Sequence, residues 1–111
     1  MVYPSLDAAA FLRKEGLRVA VVNARFAKPV DEALIVEISE KCKKVLVVED
    51  AGVVGGLGSA VADIIAGKVQ GEVGFAHIGI PDNFVTHGPR EVLLAECGLS
   101  TMGIVEAAMK L

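Results

Sequence analysis

The segment Val-Leu-Val-Val-Glu-Asp-Ala-Gly-Val-Val-Gly-Gly-Leu-Gly-Ser, residues 45–59, decides how the rest of the chain is interpreted. An uninterrupted apolar run ends on two acids, passes through a glycine-rich loop and reaches Ser59, which can cap a helix. This order is typical of a buried parallel strand that leads through a tight turn into a helix. Because ligands and partners gather at the carboxyl ends of strands in open α/β sheets, the loop is either a binding site or a close-packing turn.

Helical and extended patterns alternate along the whole chain. The predicted helices are 4–15, 31–41, 59–66, 87–96 and 100–110, and the predicted strands are 17–22, 44–49 and 72–80. Alternation of this kind predicts parallel strands joined by crossovers and covered by helices on both faces. We therefore expect residues 1–111 to form one α/β domain, three-layer α/β/α with a mostly parallel sheet. A helix comes first with no strand to lead into it, so either the domain is unusual or the sheet lacks its first strand.

Composition limits the classes of function. The chain is 53% hydrophobic with four Phe, one Tyr and no Trp, which predicts an aliphatic core. A mean hydropathy of +0.55 is high for so small a domain, and indicates that some apolar surface faces another domain or subunit. The net charge is −3 and the eleven Lys and Arg are dispersed, which argues against a nucleic-acid partner.

Cellular location and cysteine chemistry are predicted from what the sequence lacks. We find no apolar run of the roughly 20 residues needed to span a membrane and no signal peptide, so we expect no membrane partner and a soluble, cytoplasmic protein. Cys42 and Cys97 lie far apart without a CxxC spacing, and we expect both to be buried free thiols.

The glycine loop resembles a dinucleotide-binding turn only superficially. Its spacing is Gly-Gly-x-Gly rather than Gly-x-Gly-x-x-Gly, and the acid about 20 residues further on, Glu72, lies at the start of a strand. Tight strand-to-helix packing is the favoured interpretation. An interface or an active-site wall is the second, and a nucleotide site is the least favoured.

Polar residues at the ends of two predicted strands are further candidates for a functional site. Glu49 and Asp50 could serve as general acid–base groups, but neighbours on a strand point to opposite sides, so a structural or interface role is favoured. Arg25, which follows Asn23 at the end of the preceding predicted strand, could hold an anion or pair with Glu49, and we favour the ion pair.

The two histidines lie in different settings. His77 is inside an apolar strand, where a hydrogen-bonded core histidine is favoured over a catalytic one. His87 and Arg90 meet at a helix start beyond a strand end, a location that suits anion contact, although capping and surface packing are favoured. The sequence contains no nucleophile elbow, P-loop, HExxH or clustered Cys/His motif, so the chain by itself does not resemble a complete enzyme.

Three ordered motifs carry a specific resemblance. They are Val-Val-Asn-Ala-Arg-Phe-Ala-Lys-Pro-Val-Asp at 21–31, Val-Val-Glu-Asp with Val-Val-Gly-Gly-Leu-Gly-Ser-Ala-Val within 47–61, and Gly-Ile-Pro-Asp-Asn-Phe-Val-Thr-His-Gly at 79–88. Together with 93–100 and Gly103-Ile104, they closely resemble the C-terminal domain of 1-deoxy-D-xylulose-5-phosphate synthases, which are thiamine-diphosphate enzymes of the transketolase family.

The resemblance implies an assembly domain of a larger enzyme. Such an enzyme condenses pyruvate with glyceraldehyde 3-phosphate, releases carbon dioxide and supplies isoprenoid and thiamine synthesis. Thiamine diphosphate, Mg²⁺ and the catalytic residues are implied to lie in N-terminal and middle domains, so no cofactor or metal is expected on this chain. The implied partners are a second copy, as in a homodimer, or those two domains. The family's first strand precedes Met-Val-Tyr-Pro and lies inside the sheet, in agreement with the missing strand.

No catalytic residue is transferred to this chain, but an interface or active-site wall is expected. The residues predicted to form it are Asn23, Arg25, Glu49, Gly55, Gly56, Gly58, Ser59, His87 and Arg90. Two alternatives stay open: a stand-alone module that binds an anionic metabolite, and a split-gene or truncated subunit that is active only with its other domains.

Overall fold

The computed structural model describes residues 1–26, 28–83 and 87–111. Ala27, in the predicted loop after the strand at 17–22, lies outside these residues, as do residues 84–86 of the third sequence motif. The elements of the described residues are α1 (Val2–Lys14), α2 (Glu32–Cys42), β1 (Lys44–Gly52), α3 (Leu57–Lys68), β2 (Gly74–Ile80), α4 (Arg90–Glu96) and α5 (Thr101–Met109).

Strands β1 and β2 form a parallel pair at the centre of the domain. The register runs from Lys44 opposite Gly74 to Val48 opposite Ile78, and resumes after an irregularity with Gly52 opposite Ile80. Helices α2 and α3 pack on one face of the pair, and α1 and α5 pack on the other. The predicted three-layer α/β/α class with parallel strands is confirmed.

Alternation along β1 divides the core into two halves. Leu46 and Val48 pack against a cluster of α1 and α5 residues, whereas Val45 packs against a cluster from α2, β1 and α3. The buried members of these clusters are Ala8, Leu12, Ile104 and Val105 on the first face, and Ile35, Val47, Val61 and Ile64 on the second. A strand that is apolar on both sides is buried on both sides, as its sequence predicted.

Local side-chain contacts fix where the helices begin. The Asp31 carboxylate accepts the Leu34 N–H at 3.1 Å at the start of α2, and Ser100 Oγ accepts the Gly103 N–H at 3.1 Å at the start of α5. Both satisfy a backbone donor that a helix leaves free in its first turn. The predicted cap at Ser100 is therefore confirmed.

The strand predicted at residues 17–22 does not form in the structure. Leu17 donates its N–H to the Leu12 carbonyl, and the Arg13 guanidinium donates to the Val19 carbonyl at 2.6 Å. No backbone hydrogen bond joins 17–22 to β1 within the described ranges. An extended segment becomes a strand only when a neighbour supplies a ladder, and that neighbour is absent beside this segment.

The stretch Arg90–Met109 corrects one expectation from the sequence. By length and composition it is apolar enough to cross a membrane, with a mean hydropathy of 1.5. In the structure it forms two helices, because the chain turns between them at Gly98, whose φ is +76°, and buries Leu99. A membrane-spanning helix needs an unbroken run of roughly 20 residues, and neither of these two helices is that long.

Both cysteines are free, as predicted, but the expected burial is wrong for one of them. Cys42 is exposed and Cys97 is partly buried. Cys42 is the last residue of α2, and the chain leaves the helix directly after it through Lys43 in a left-handed conformation. The side chain therefore faces solvent and not the core.

Helix α5 tolerates only glycine at position 103. A Cβ at Gly103 would lie 2.3 Å from the carbonyl oxygen of Gly98, which is backbone and cannot turn aside. We expect Gly103→Ala to lower the free energy of unfolding by about 1–3 kcal/mol, measured by urea denaturation. Gly67→Ala in α3 is the matched control, because a Cβ there meets nothing within 4 Å. That control should be neutral or stabilising by up to about 1 kcal/mol, and equal losses would contradict the steric explanation.

Candidate functional site

The carboxylate of Glu49 is the centre of the site at the carboxyl end of β1. It accepts the Leu57 N–H at 2.9 Å through Oε2 and the Gly58 N–H at 3.0 Å through Oε1. Both donors belong to the first turn of α3, where free N–H groups and the helix dipole favour a negative charge. With its side chain only 10% exposed, Glu49 caps the helix from the preceding strand.

Ser59 does not have the predicted capping role. Helix α3 begins at Leu57, two residues before it, and its N-cap residue Gly56 makes no side-chain cap. Ser59 Oγ instead accepts the Gly55 N–H at 3.1 Å and donates to the Val53 carbonyl at 3.3 Å, which closes the glycine loop on itself. The true capping group lies eight residues before Leu57, so a search for a local cap misses it.

His77 of β2 contacts the same carboxylate from the neighbouring strand. Its Nε2 lies 2.5 Å from Glu49 Oε1, and its side chain is 13% exposed. Although the atoms are close, the described residues give Nε2 no aligned hydrogen bond, so the contact is a close approach of two polar groups and not a well-directed bond. His77 is enclosed in the core, as the sequence favoured, with Glu49 as its neighbour.

The glycines of the loop make room for these two side chains. A Cβ at Gly56 would lie 2.5 Å from Glu49 Oε2, and a Cβ at Gly58 would lie 2.3 Å from the His77 ring. Gly55 has a φ of +73°, which a residue with a side chain adopts only with strain. The close approach explains the Gly-Gly-x-Gly spacing and supports the close-packing interpretation of the loop.

Asp50 points away from Glu49 and forms an ion pair with Arg90 at the start of α4. The expected pair between Arg25 and Glu49 is wrong, because Glu49 is engaged by α3 and His77. The Arg25 guanidinium instead lies 5.8 Å from the centre of the Phe26 ring. Glu49 and Asp50 therefore have different partners, because adjacent residues of a strand point to opposite sides, as the sequence predicted.

The structure gathers some of the predicted wall residues and leaves others apart. Asn23, Arg25 and Glu49 line one cleft of about 340 Å³, and the glycine loop lies at the end of β1 beside it. Arg90 is joined to this edge through Asp50, whereas His87 is exposed to solvent. Their predicted role in an interface or an active-site wall stays a prediction.

The site does not fit a diphosphate or a metal ion. The two N–H groups that open α3 are already taken by Glu49, so a phosphate there would have to displace a buried carboxylate. In the described part of the chain, no group of three or more His, Cys, Asp or Glu side chains could hold a metal. The arrangement holds a turn in place, and it offers neither a thiamine-diphosphate nor a Mg²⁺ site.

The described residues thus form a parallel α/β domain in which the acid at the end of β1 closes the glycine turn and caps the next helix. The chain belongs to the transketolase C-terminal domain family, which matches residues 1–104.

Proteins similar to this chain include several 1-deoxy-D-xylulose-5-phosphate synthases. The chain is 39% identical over 110 residues to the 1-deoxy-D-xylulose-5-phosphate synthase of Halothermothrix orenii, covering 99% of this chain and 17% of the relative. It is 49% identical over 100 residues to that of Thioalkalivibrio sulfidiphilus, covering 89% of this chain and 15% of the relative. The chain thus spans less than a fifth of the length of these relatives.

A solved structure shares the fold. It is a split-gene transketolase described as an inactive β4 tetramer, with a TM-score of 0.85 and 33% identity, covering 98% of this chain and 34% of that one.

Removal of the charge at position 49 should destabilise the turn. We expect Glu49→Gln to lower the free energy of unfolding by about 1–3 kcal/mol. Each carboxylate oxygen of Glu49 accepts one N–H group, whereas the NH₂ group of Gln cannot accept, so one of the two N–H groups would lose its acceptor. Asp50→Asn is the control, since its ion pair with Arg90 is partly exposed and should contribute less than about 1 kcal/mol. Urea denaturation of the two variants side by side tests this, and a larger loss in Asp50→Asn would contradict it.

The contact between Gly58 and His77 should appear as energetic coupling. Gly58→Ala alone should cost about 1–3 kcal/mol, because the new methyl group overlaps the imidazole ring. In a His77→Ala background the ring is gone, so the same substitution should cost less, with a coupling energy above about 0.5 kcal/mol in a double-mutant cycle. Additive losses would show that position 58 requires glycine for another reason.

Proposed function

We propose that this chain is the C-terminal assembly domain of a thiamine-diphosphate-dependent 1-deoxy-D-xylulose-5-phosphate synthase, with no catalytic residue of its own. The observation that carries the proposal is the match of residues 1–104 to the transketolase C-terminal domain family, together with synthases 39% and 49% identical to the chain. The site is consistent with it, because Glu49 already accepts the free N–H groups at the start of α3 that an anionic substrate would otherwise use.

The full-length enzyme would condense pyruvate with glyceraldehyde 3-phosphate to give 1-deoxy-D-xylulose 5-phosphate and carbon dioxide. This product would supply isoprenoid and thiamine synthesis in the cytoplasm. Thiamine diphosphate supplies the carbanion chemistry in such an enzyme, and Mg²⁺ accompanies it. Both would be held by the N-terminal and middle domains, in keeping with the poor fit of the present residues to either group.

The role of this domain would be to form an interface beside the active site. Large apolar side chains are exposed on its surface, among them Tyr3 at 80%, Val54 at 74% and Phe26 at 66%. Val54 lies in the glycine loop and Phe26 follows Arg25, so both flank the predicted wall. Apolar surface in such positions favours burial against a second copy or against the other two domains.

A split-gene subunit is the second candidate, and the similarity to a split-gene transketolase favours it. In that case the chain would be a separate polypeptide that associates with the cofactor-binding domains. Mixing the purified chain with the separately expressed first two domains distinguishes the two candidates, because only the subunit should restore activity without a covalent link.

A domain exchange tests the assembly role. The matched region of the Halothermothrix orenii synthase is replaced by this chain in one variant and by a Gly/Ser linker of equal length in another. We expect the linker variant to lose dimerisation and most product formation, and the exchange variant to recover both, because the module restores the interface. Light scattering and release of carbon dioxide from pyruvate are the measurements. A linker variant that stays dimeric and fully active would overturn the proposal.

A further inference from the structure

Helix α4 is set apart from the rest of the domain by its shallow packing. None of its side chains is buried, and neither core cluster includes one of them. Whereas α1 packs on α5 and α2 packs on α3, α4 packs closely on no other element of the described residues. An element with few buried apolar contacts opens locally at a much lower free energy than the core. We therefore expect α4 to open without unfolding of the domain.

The sequence of α4 does not make it a stable helix by itself. It has seven residues, about half the number that an isolated helix needs in water. Its N-cap residue, Pro89, supplies no side-chain cap. Arg90 places a positive charge at the positive end of the helix dipole, and Glu96 places a negative charge at the negative end. Glu91, in the first turn, has a charge that suits its position, but the helix as a whole depends on contacts outside itself.

The C-terminal end of α4 is firmly attached to the domain. The chain turns at Gly98, whose φ is +76°, and Leu99 directly after it is 1% exposed. Leu99 donates its N–H to the Leu94 carbonyl at 2.8 Å, and Ser100 caps α5. The Gly98 carbonyl lies close against Gly103 of α5. The well-packed part of the domain therefore begins at Gly98, directly after α4.

The N-terminal end of α4 is held differently, by one ion pair among the described residues. Arg90, its first residue, donates from its guanidinium to the Asp50 carboxylate near the carboxyl end of β1. The Arg90 side chain is 71% exposed and that of Asp50 is 26% exposed, so water and salt compete with the pair. An exposed pair of this kind changes an equilibrium by no more than about fivefold. A contact of that strength biases the position of α4 without fixing it.

From these contacts we infer that α4 is a strap at the carboxyl end of β1, closed by the Asp50–Arg90 ion pair and anchored at Gly98. In the closed state the strap is helical and its guanidinium neutralises Asp50. In the open state the ion pair is broken and the segment loses its helix, because its own sequence does not stabilise one. Opening exposes Asp50 at the sheet edge where ligands and partners of α/β domains gather. The accessibility of this edge thus depends on one solvent-exposed ion pair.

Hydrogen exchange on the unmodified chain tests the strap without any activity assay. At low salt we expect the amides of α4 to exchange faster than those in the middle of α3 by about a hundredfold or more, because α4 opens by itself. Raising NaCl from about 20 mM to about 500 mM should speed exchange in α4 by about two- to fivefold, since salt screens the ion pair. Exchange in the middle of α3 should stay unchanged.

Two substitutions open the strap at its ion pair. Asp50→Asn and Arg90→Gln should each speed exchange in α4 by about two- to fivefold at low salt and remove its salt dependence. The double variant should exchange no faster than the faster single variant, because both residues act through one contact. Lys68→Gln is the matched control, since it breaks an exposed ion pair with Glu32 elsewhere in the domain and should leave α4 unchanged.

Cleavage by a protease that cuts after glutamate gives a second readout. Glu91 and Glu96 lie in α4 and Glu37 lies in the middle of α2, and all three are exposed. Cleavage needs a locally unfolded chain, so it should occur first in α4 and be faster still in Asp50→Asn. Exchange in α4 as slow as in α3, or unchanged exchange in the Asp50 and Arg90 variants, would overturn the inference. Faster exchange in α3 together with α4 would do the same, because the strap would then open only when the domain unfolds.

Discussion

The buried carboxylate of Glu49 is the interaction on which the arrangement of the sheet and α3 depends. It ends a strand, caps the helix that follows and contacts an imidazole on the neighbouring strand. A charge so deeply enclosed is tolerated only when hydrogen bonds and a polar neighbour replace the water it has lost. The glycine turn makes this arrangement possible, because Gly56 and Gly58 leave space for the Glu49 carboxylate and the His77 ring where a side chain would collide with them.

Much of the fold follows from local sequence. The periodicity of α2 and the cap at Ser100 depend on residues close in the chain, and the apolar run of β1 indicates burial on both faces. The predicted cap at Ser59 and the predicted ion pair of Arg25 with Glu49 are both wrong, because Glu49 reaches α3 across a loop and His77 across the sheet. Contacts of that kind are decided by packing, which a single sequence does not record.

The segment 17–22 shows a different limit of sequence reasoning. Its composition is that of a strand, yet no described residue pairs with it, because a strand is defined by its neighbours and not only by its own residues. The prediction of the class was correct while the number of strands was wrong. The same reasoning applies to the predicted wall residues: the fold brings Asn23, Arg25 and Glu49 to one cleft, and what they contact there stays a prediction.

The collision distances around the glycine turn also restrict how this sequence can change over time. A side chain at position 58 would require the His77 ring to move, and one at position 56 would require the Glu49 carboxylate to leave its present place. A larger residue at either glycine becomes tolerable only after its opposing side chain has shrunk, but loss of Glu49 first would leave the start of α3 without its cap. The order of substitution is therefore restricted, and the residue at each glycine position depends on the residue that faces it.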